Sequence, residues 1–300
     1  MKNKIKINSV CSLLLLLFGC SSEQKKITIA EQATVTDTLI VNDTTQAPPA
    51  ISTNTTPQKD ISGIEFGYCN EEGKQILLLR DSLIDPQKLV KVISDSGKIA
   101  DILFVKKRAA TKEDNNRKTY FNFTNAGGYL YEVKNTSVDK ELSLVLVSDE
   151  FLSHHKIVNP NGCEKMDLVS SIKTKIEKDK NRKIKKTKCL KQIDFNRSIY
   201  LFEFVIKKDS ALVTLAYIDN DKIIYHDYPA LYNEISTWRV DDGGEFGLDY
   251  LNVLAIFENK NNIELVLDWA GAEGYSIDYL VEENSKFVSK KGGYRYCAPD

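Results

Sequence analysis

Short apolar runs separated by turn-forming residues are the feature that most limits what this 300-residue chain can fold into. Residues 198–206 and 211–218 are rich in Tyr, Phe, Val and Ile, which favour strands. Residues 219–221, Asp-Asn-Asp, are typical of a tight turn, and residues 125–128, Asn-Ala-Gly-Gly, of a hairpin turn. Many short strands joined by turns predict a mostly β domain of the α+β type with antiparallel strands.

One segment has the periodicity of a helix. Four apolar residues in it recur at spacings of three, three and four, namely Met166, Val169, Ile172 and Ile176. Acidic residues lie at the start of this segment and lysines at its end, an order that the helix dipole favours. We therefore predict one basic amphipathic helix near residues 164–180. It would divide a single globular domain, residues 61–300, into two β-rich halves at about 61–160 and 190–300.

The N-terminus has the three parts of an export signal. Three lysines, Lys2, Lys4 and Lys6, precede an apolar run at residues 10–18. This run is too short for a stable transmembrane helix, which needs about 20 apolar residues, but it suits the core of a signal peptide. It ends in Leu17-Phe18-Gly19-Cys20, which resembles the lipobox of bacterial lipoproteins.

The resemblance to bacterial lipoproteins implies how the protein is processed and where in the cell it is located. Residues 1–19 would be the signal peptide, and Cys20 would become the first mature residue and carry acyl chains that hold the protein on membrane lipid. Several acyl chains together anchor a protein firmly, whereas one chain does not. Ser21, in place of an aspartate, implies sorting to the outer membrane in this family. We expect a lipid-anchored protein of the bacterial cell envelope.

Residues 20–60 are predicted to be a lipidated cysteine followed by a flexible tether. The segment is rich in Thr, Ser and Pro and contains few large apolar side chains. Such a composition cannot bury enough apolar surface to offset the entropy lost on ordering. The tether would space the domain away from the membrane.

Four cysteines lie beyond Cys20: Cys69, Cys163, Cys189 and Cys297. Export makes disulfides possible, and four cysteines allow three pairings. We favour a Cys163–Cys189 bond, which would close the helical excursion, and a Cys69–Cys297 bond, which would fasten the two ends of the domain. No pair has the spacing of a zinc knuckle, so no metal is expected.

A basic run follows the predicted helix. Its candidate anion-binding residues are Lys180, Arg182, Lys183, Lys185, Lys186 and Lys188. They could attract an anionic envelope polymer or lipid phosphate, although charge runs are more often solvated surfaces. Nucleic acid is not expected as a partner, because the net charge of the chain is −1 and no aromatic residue interleaves the lysines.

A second candidate site combines aromatic and acidic residues. Trp269, Glu273 and Tyr275 could hold a glycan, since aromatic rings stack on sugars and carboxylates accept from hydroxyls. Glu273 and an acid from residues 241–249 could also form the carboxylate pair of a glycoside hydrolase. The alternative is a core Trp at a strand end followed by a hairpin turn.

No motif in the sequence indicates a particular reaction or cofactor. There is no G-x-S-x-G elbow, P-loop, dinucleotide fingerprint or H-E-x-x-H, and the histidines are only three. The sequence therefore favours a non-enzymatic binding or structural module for a cell-wall polymer, a glycan or another envelope protein. Two alternatives are a glycan hydrolase and an accessory subunit of an outer-membrane assembly, which would expose a sizeable apolar patch.

The lipid anchor can be tested directly. Because the Cys20 thiol would be the acyl-chain acceptor, Cys20→Ala should abolish metabolic labelling of the protein with a fatty-acid analogue in a bacterial host. The matched control is Cys11→Ala, which alters a cysteine of the signal peptide and should leave labelling intact. Persistent labelling of the Cys20→Ala protein would contradict the lipobox interpretation.

Overall fold

A computed structural model describes residues 63–82, 84–94, 97–163, 168–233, 246–271 and 273–297. Within these ranges the chain is mostly β, and its strands form a closed six-stranded barrel and a nine-stranded sheet. The predicted fold class is therefore confirmed. The barrel and the sheet belong to one compact unit.

The barrel contains the N-terminal strands of the described chain. Its strands are β1 (Ile64–Cys69), β2 (Gln75–Leu78), β3 (Leu89–Ser94), β4 (Lys98–Arg108), β5 (Gly128–Val133) and β6 (Leu144–Ser148). They close antiparallel in the order β1-β2-β5-β4-β3-β6. A barrel this small is filled by its own side chains, and Ile76, Leu89, Tyr131, Leu144 and Leu146 are among those packed inside it.

The larger sheet contains most of the remaining chain. Its strands are β7 (Lys156–Ile157), β8 (Ile184–Gln192), β9 (Arg197–Phe204), β10 (Ser210–Asp219), β11 (Lys222–Leu231), β12 (Leu251–Asn259), β13 (Asn262–Gly271), β14 (Gly274–Glu283) and β15 (Lys286–Tyr296). Their order is β7-β12-β13-β14-β15-β11-β10-β9-β8. Neighbours pair antiparallel except β11 and β15, which meet in parallel at Tyr225 and Lys286.

The nine-stranded sheet curls into a half-barrel around a core of its own. Leu201 and Val213, from one end of the sheet, share this core with Val253 and Leu265, from the other end. An ion pair between Arg197 and Glu258 joins the same two ends. Strands far apart in the sheet order can share one core only because the sheet curves, so the concave face is the apolar one.

The barrel packs on the outer face of strands β12–β14. Phe66, Val145 and Val147 of the barrel wall contact Phe257 and Tyr279 of the sheet in one buried cluster. Burying an apolar side chain of this size contributes roughly 1.5–3 kcal/mol, so the contact is a major source of stability. It also explains why every residue of β6 is buried, since its two faces meet the barrel interior and the sheet.

In the described ranges two α-helices accompany the sheets, α1 (Asp149–His154) and α2 (Ser170–Lys180), with short 3-10 helices at Pro86–Lys88 and Leu248–Tyr250. The predicted basic helix is α2, but it begins at Ser170, and residues 164–167 lie outside the described residues. Ile176 is buried on the outer face of β9 and β10, whereas Val169 is 64% exposed. No helix in the described ranges has both the length and the apolar character needed to span a membrane.

One of the two predicted disulfides is present. Cys163 and Cys189 are bonded, with their Cα atoms 6.0 Å apart. The predicted Cys69–Cys297 bond is wrong, because both thiols are free. Cys69 points into the barrel interior, whereas β15 lies against the outer face of β1. The barrel wall therefore separates the two sulfurs.

A lysine fastens the two ends of the described chain where a disulfide was predicted. Lys291 of β15 donates to the carbonyl oxygen of Ile64 in β1 and forms an ion pair with Glu65 at 2.9 Å. Both charged side chains of this pair are almost completely buried. The predicted closeness of the two ends is thus achieved by a buried, hydrogen-bonded charge pair.

The contact between barrel and sheet requires a glycine at position 293. A Cβ atom there would lie 2.9 Å from the Phe66 ring, which is too close for two carbon atoms. Gly293→Val should therefore force the barrel away from β15 and lower the free energy of unfolding by about 1–3 kcal/mol, measured by chemical denaturation.

The neighbouring glycine supplies the matched control for that substitution. A Cβ atom at Gly292 would meet only the Ile277 carbonyl oxygen at 3.6 Å, which is ordinary contact. Gly292→Ala should therefore change the free energy of unfolding by less than about 0.5 kcal/mol. Equal effects of the two substitutions would contradict the packing described for Gly293.

Candidate binding site at the barrel–sheet junction

The aromatic residues predicted to hold a glycan do not form one surface. Trp269 packs in the core of the half-barrel and stacks on Phe246 with ring centroids 4.6 Å apart. Tyr275 pairs across the strands with Ala270, the neighbour of Trp269, so its side chain lies on the opposite face of the sheet. There it lies beneath Arg295. The structure therefore does not bring these two rings together, and Trp269 packs against the core of the half-barrel, as the alternative interpretation describes.

The acidic residues proposed for hydrolysis are not brought together within the described ranges. Glu273 is exposed in the hairpin turn between β13 and β14. Residues 241–245 lie outside the described residues, and Asp249 forms an ion pair with Lys188 at 2.8 Å. The described part of the chain also contains no group of three His, Cys, Asp or Glu side chains placed to hold a metal ion.

The predicted anion-binding residues lie at the end of α2, in the turn that follows and on β8. Most of their charges are balanced locally: Lys180 pairs with Asp227, Lys183 with Glu177, Lys185 and Lys186 with Glu203, and Lys188 with Asp249. Arg182 donates to the carbonyl and hydroxyl oxygens of Ser210. Because β8 is an edge of the sheet, these lysines also discourage pairing with another strand.

A cavity of about 310 Å³ lies where the barrel meets β15. Its walls come from β1, from the two residues that follow β2, and from the C-terminal half of β15. The lining residues are Glu65, Phe66, Leu79, Arg80, Gly292, Gly293 and Tyr294. This cavity combines charged, aromatic and backbone groups, and none of the predicted site residues lines it.

One cationic side chain of the cavity is available to a ligand. Glu65 already accepts hydrogen bonds from the Ser82 hydroxyl at 2.6 Å and from the Lys291 ammonium at 2.9 Å. Arg80 lies farther away, with its Nε atom 4.0 Å from the Glu65 carboxylate, and its side chain is 57% exposed. Because Lys291 already balances Glu65, the Arg80 guanidinium can bind a further anionic group.

The backbone of β15 supplies the second feature of the cavity. In an antiparallel ladder, alternate residues direct both N–H and C=O toward the partner strand, and the residues between them direct both away. The N–H of Cys297 donates to the carbonyl oxygen of Glu273 on the β14 side at 2.8 Å. The regular pairing of Arg295 with Tyr275 and of Gly293 with Ile277 continues this pattern. Residues 293, 295 and 297 therefore face β14.

The intervening residues of β15 face the cavity side. The carbonyl oxygen of Tyr296 accepts from the N–H of Lys118 at 2.6 Å, which shows the outward direction directly. Tyr294 and Gly292 lie two and four residues before Tyr296, so their backbone groups point in the same outward direction. Both residues are exposed and line the cavity. Their outward N–H and C=O groups have no strand partner among the described residues, because β11 pairs with β15 only at Lys286. Within the described part of the chain, the cavity therefore contains a short sheet edge without a strand partner.

The sequence contains one local signal for this site, a pair of adjacent glycines within a strand. Glycine weakens a strand, and within one it often marks a place where another backbone or a ligand approaches closely. Gly292 and Gly293 form such a pair within β15. Gly293 admits Phe66 of the barrel, and a Cβ atom at Gly292 would meet only the Ile277 carbonyl oxygen, at 3.6 Å. The location of Arg80 beside them follows only from the packing of the barrel.

Comparisons with protein-family models, with curated proteins and with solved structures found no match to this chain.

A buried carboxyl lies farther along the same junction. Asp268 of β13 is 1% exposed and accepts a hydrogen bond from the Ser143 hydroxyl at 3.2 Å. Burial raises its pKa from 3.8 to about 6, and the nearby Arg295 guanidinium opposes part of this rise. The folded protein therefore holds the Asp268 proton more tightly than the unfolded chain does.

This shift in pKa predicts the pH dependence of stability. Folding takes up a proton at Asp268 between pH 3.8 and about 6, so the contribution of this group to stability falls as pH rises through that window. Relative to wild type, Asp268→Asn should therefore gain roughly 2 kcal/mol of unfolding free energy between pH 4 and 7.

Chemical denaturation of both proteins at several pH values would measure this difference. The control is Asp249→Asn, which alters a carboxylate that is 91% exposed and should not show this gain. A difference between Asp268→Asn and wild type that stays constant across the pH range would contradict the burial effect.

Proposed function

We propose that this chain is a lipid-anchored, non-enzymatic protein of the bacterial outer membrane that binds another envelope protein at the barrel–sheet junction. The anchor is Cys20, at the end of the lipobox-like Leu17–Cys20 sequence, and residues 20–60 supply the tether. The domain beyond the tether carries the binding site. Its partner is a protein, and the site is the cavity between the barrel and β15.

The cavity at this junction is the observation that carries the proposal. It places an exposed cation, Arg80, and the outward backbone groups of Gly292 and Tyr294 in one concave space. Arg side chains are among those that supply much of the binding energy at protein interfaces. Outward N–H and C=O groups add hydrogen bonds of a kind that a polypeptide partner can satisfy along its length.

A protein partner is better supported than an anionic polymer. A polymer-binding surface would need the positive charges of β8 and the preceding turn to be available. Those charges are instead matched by Glu177, Glu203, Asp227 and Asp249. Exposed ion pairs of this kind stabilise little, but they lower the local positive potential that a polyanion would need.

An accessory subunit of an outer-membrane assembly is the second candidate function. The observation in its favour is a groove of about 220 Å³ beside the N-terminus of α2. Phe195, which lines this groove, is 94% exposed, and Val169 is 64% exposed. Exposed apolar patches on soluble domains often mark protein contacts. A subunit that docks through this groove would not require Arg80.

Co-sedimentation with outer-membrane vesicles tests the proposed function. The mature chain carrying Cys20→Ser is used, because without an acyl chain the protein cannot sediment with the vesicles by inserting into their lipid. We expect binding to native vesicles, loss of binding after the vesicles are treated with protease, and no binding to purified cell-wall sacculi. Arg80→Glu should weaken vesicle binding by about tenfold or more, since a charge-assisted hydrogen bond contributes about 1.5–3 kcal/mol.

Two matched variants separate the candidate sites. Lys183→Glu reverses an exposed lysine near β8 and should change binding by less than about twofold, since exposed ion pairs contribute little. Phe195→Ser alters the groove beside α2 and should also leave binding unchanged. Binding to sacculi that weakens with salt and is lost in Lys183→Glu would favour an anionic polymer as the partner. Loss of vesicle binding in Phe195→Ser but not in Arg80→Glu would favour the accessory-subunit role. Either result would contradict the proposal.

A further inference from the structure

We infer that the junction cavity binds its partner by strand addition, in which an extended segment with a carboxylate side chain pairs with the free edge of β15. The inference rests on the proposed function and names the partner's chemistry. Extended peptides that add a strand to a sheet edge gain affinity from main-chain hydrogen bonds and specificity from pockets beside the edge. Both kinds of contact are present at this junction.

The edge of β15 is already occupied at one end. Lys118, in the long connection between β4 and β5, donates its N–H to the carbonyl oxygen of Tyr296. The next outward positions along the edge are Tyr294 and Gly292, about 7 Å apart per two-residue step. A bound segment would continue the row of hydrogen bonds that Lys118 begins, and would extend toward the open mouth of the cavity.

The side chains of the free edge do not oppose pairing. Proteins commonly protect an edge strand with lysines, and β8, at one end of the sheet, carries Lys185, Lys186 and Lys188. By contrast, residues 292–294 of β15 are Gly-Gly-Tyr and carry no charge. Lys291, just before them, is turned toward Glu65 and the barrel. Among the described residues, none of these devices protects this part of the β15 edge.

The barrel side of the cavity selects the side chain of the bound segment. Arg80 lines the same cavity as Gly292 and Tyr294. Its Nε atom lies 4.0 Å from the Glu65 carboxylate, which is too far for a hydrogen bond. Carboxylates form paired hydrogen bonds with guanidinium groups, and such charge-assisted bonds are stronger than neutral ones. The preferred segment would thus carry Asp or Glu on the face directed at the barrel, with small or β-branched residues on either side of it.

A peptide library tests the inference on the mature chain carrying Cys20→Ser. The library contains capped eight-residue peptides built from Val, Thr, Ile and Ser, with a central residue fixed as Glu in one half and Lys in the other. Binding is measured by fluorescence polarisation and by amide chemical shifts. We expect the tightest Glu peptides to bind about tenfold or more tightly than their Lys versions, and Arg80→Ala to remove most of that difference.

N-methylation of the peptide backbone tests the geometry without altering the protein. One alternate set of peptide N–H groups would face β15 and the other would face away. Methylating the first set should abolish binding, and methylating the second should leave affinity within about threefold of the unmodified peptide. Equal effects of the two sets would overturn strand addition.

Two substitutions of one residue test the protein side. Gly292→Pro removes the outward N–H without removing a hydrogen bond to β14, whereas Gly292→Ala keeps that N–H. The proline variant should lose peptide binding and the alanine variant should retain it. Thermal unfolding of both variants serves as the folding control. Equal peptide binding by the two variants would overturn the inference.

The remaining outcomes separate this inference from the proposed function. If no peptide binds below about 1 mM while protease-sensitive vesicle binding persists, strand addition is wrong and the proposed function stands. If vesicle binding is also absent, both fail. If sedimentation velocity shows dimers that Gly292→Pro abolishes, the occupant of the edge is a second copy of this chain, and the inferred partner is wrong.

Discussion

The packing of the barrel wall against the outer face of the half-barrel is the contact on which the other features of this protein depend. Phe66 approaches β15 at Gly293, where a side chain would prevent the contact, and the buried cluster around Phe257 and Tyr279 surrounds it. Neither sheet could bury these residues alone. The barrel would expose Phe66, Val145 and Val147, and the half-barrel would expose the outer faces of β12–β14.

The same contact creates the polar features of the junction. Lys291 and Glu65 are buried as a pair because the barrel closes over them, and removing one partner of such a pair leaves an uncompensated charge. The barrel also covers one side of β15 without pairing with its backbone. The cavity is therefore a consequence of how the closed barrel meets the half-barrel, because the apolar centre of their contact packs tightly and its margin does not.

Much of the fold could be predicted from local sequence patterns. Apolar alternation and turn residues located most of the strands, since those signals are local, and the spacing around Ile172 and Ile176 located α2. The hairpin turn predicted at residues 125–128 is wrong, because residues 120–125 form turns and β5 begins only at Gly128. The Cys163–Cys189 bond was predictable because both cysteines flank one excursion of the chain. The Cys69–Cys297 bond failed because the direction of a buried side chain depends on barrel closure. Closure of the barrel is a long-range property that no run of residues encodes locally.

The candidate site was the least predictable part, for the same reason. Trp269 looked like a ligand-binding aromatic because its sequence neighbours are small and acidic, yet strand alternation turns it into the core and Tyr275 away from it. The basic run looked available for anions because its partners, Glu203, Asp227 and Asp249, lie far away in sequence. Only the adjacent Gly292 and Gly293 indicated the junction locally, because glycines within a strand often mark a close approach. The sequence does not predict that Arg80 lies beside them.

Amide hydrogen exchange along β15, measured by NMR on the mature chain, tests whether this strand has a free edge beside the barrel. We predict alternation: the amides of Gly293 and Arg295, which face β14, exchange slowly, and those of Gly292 and Tyr294 exchange almost as fast as in an unfolded chain. Slow exchange at all four amides would show that another part of the protein covers the edge, and would contradict both the free edge and the binding site built on it.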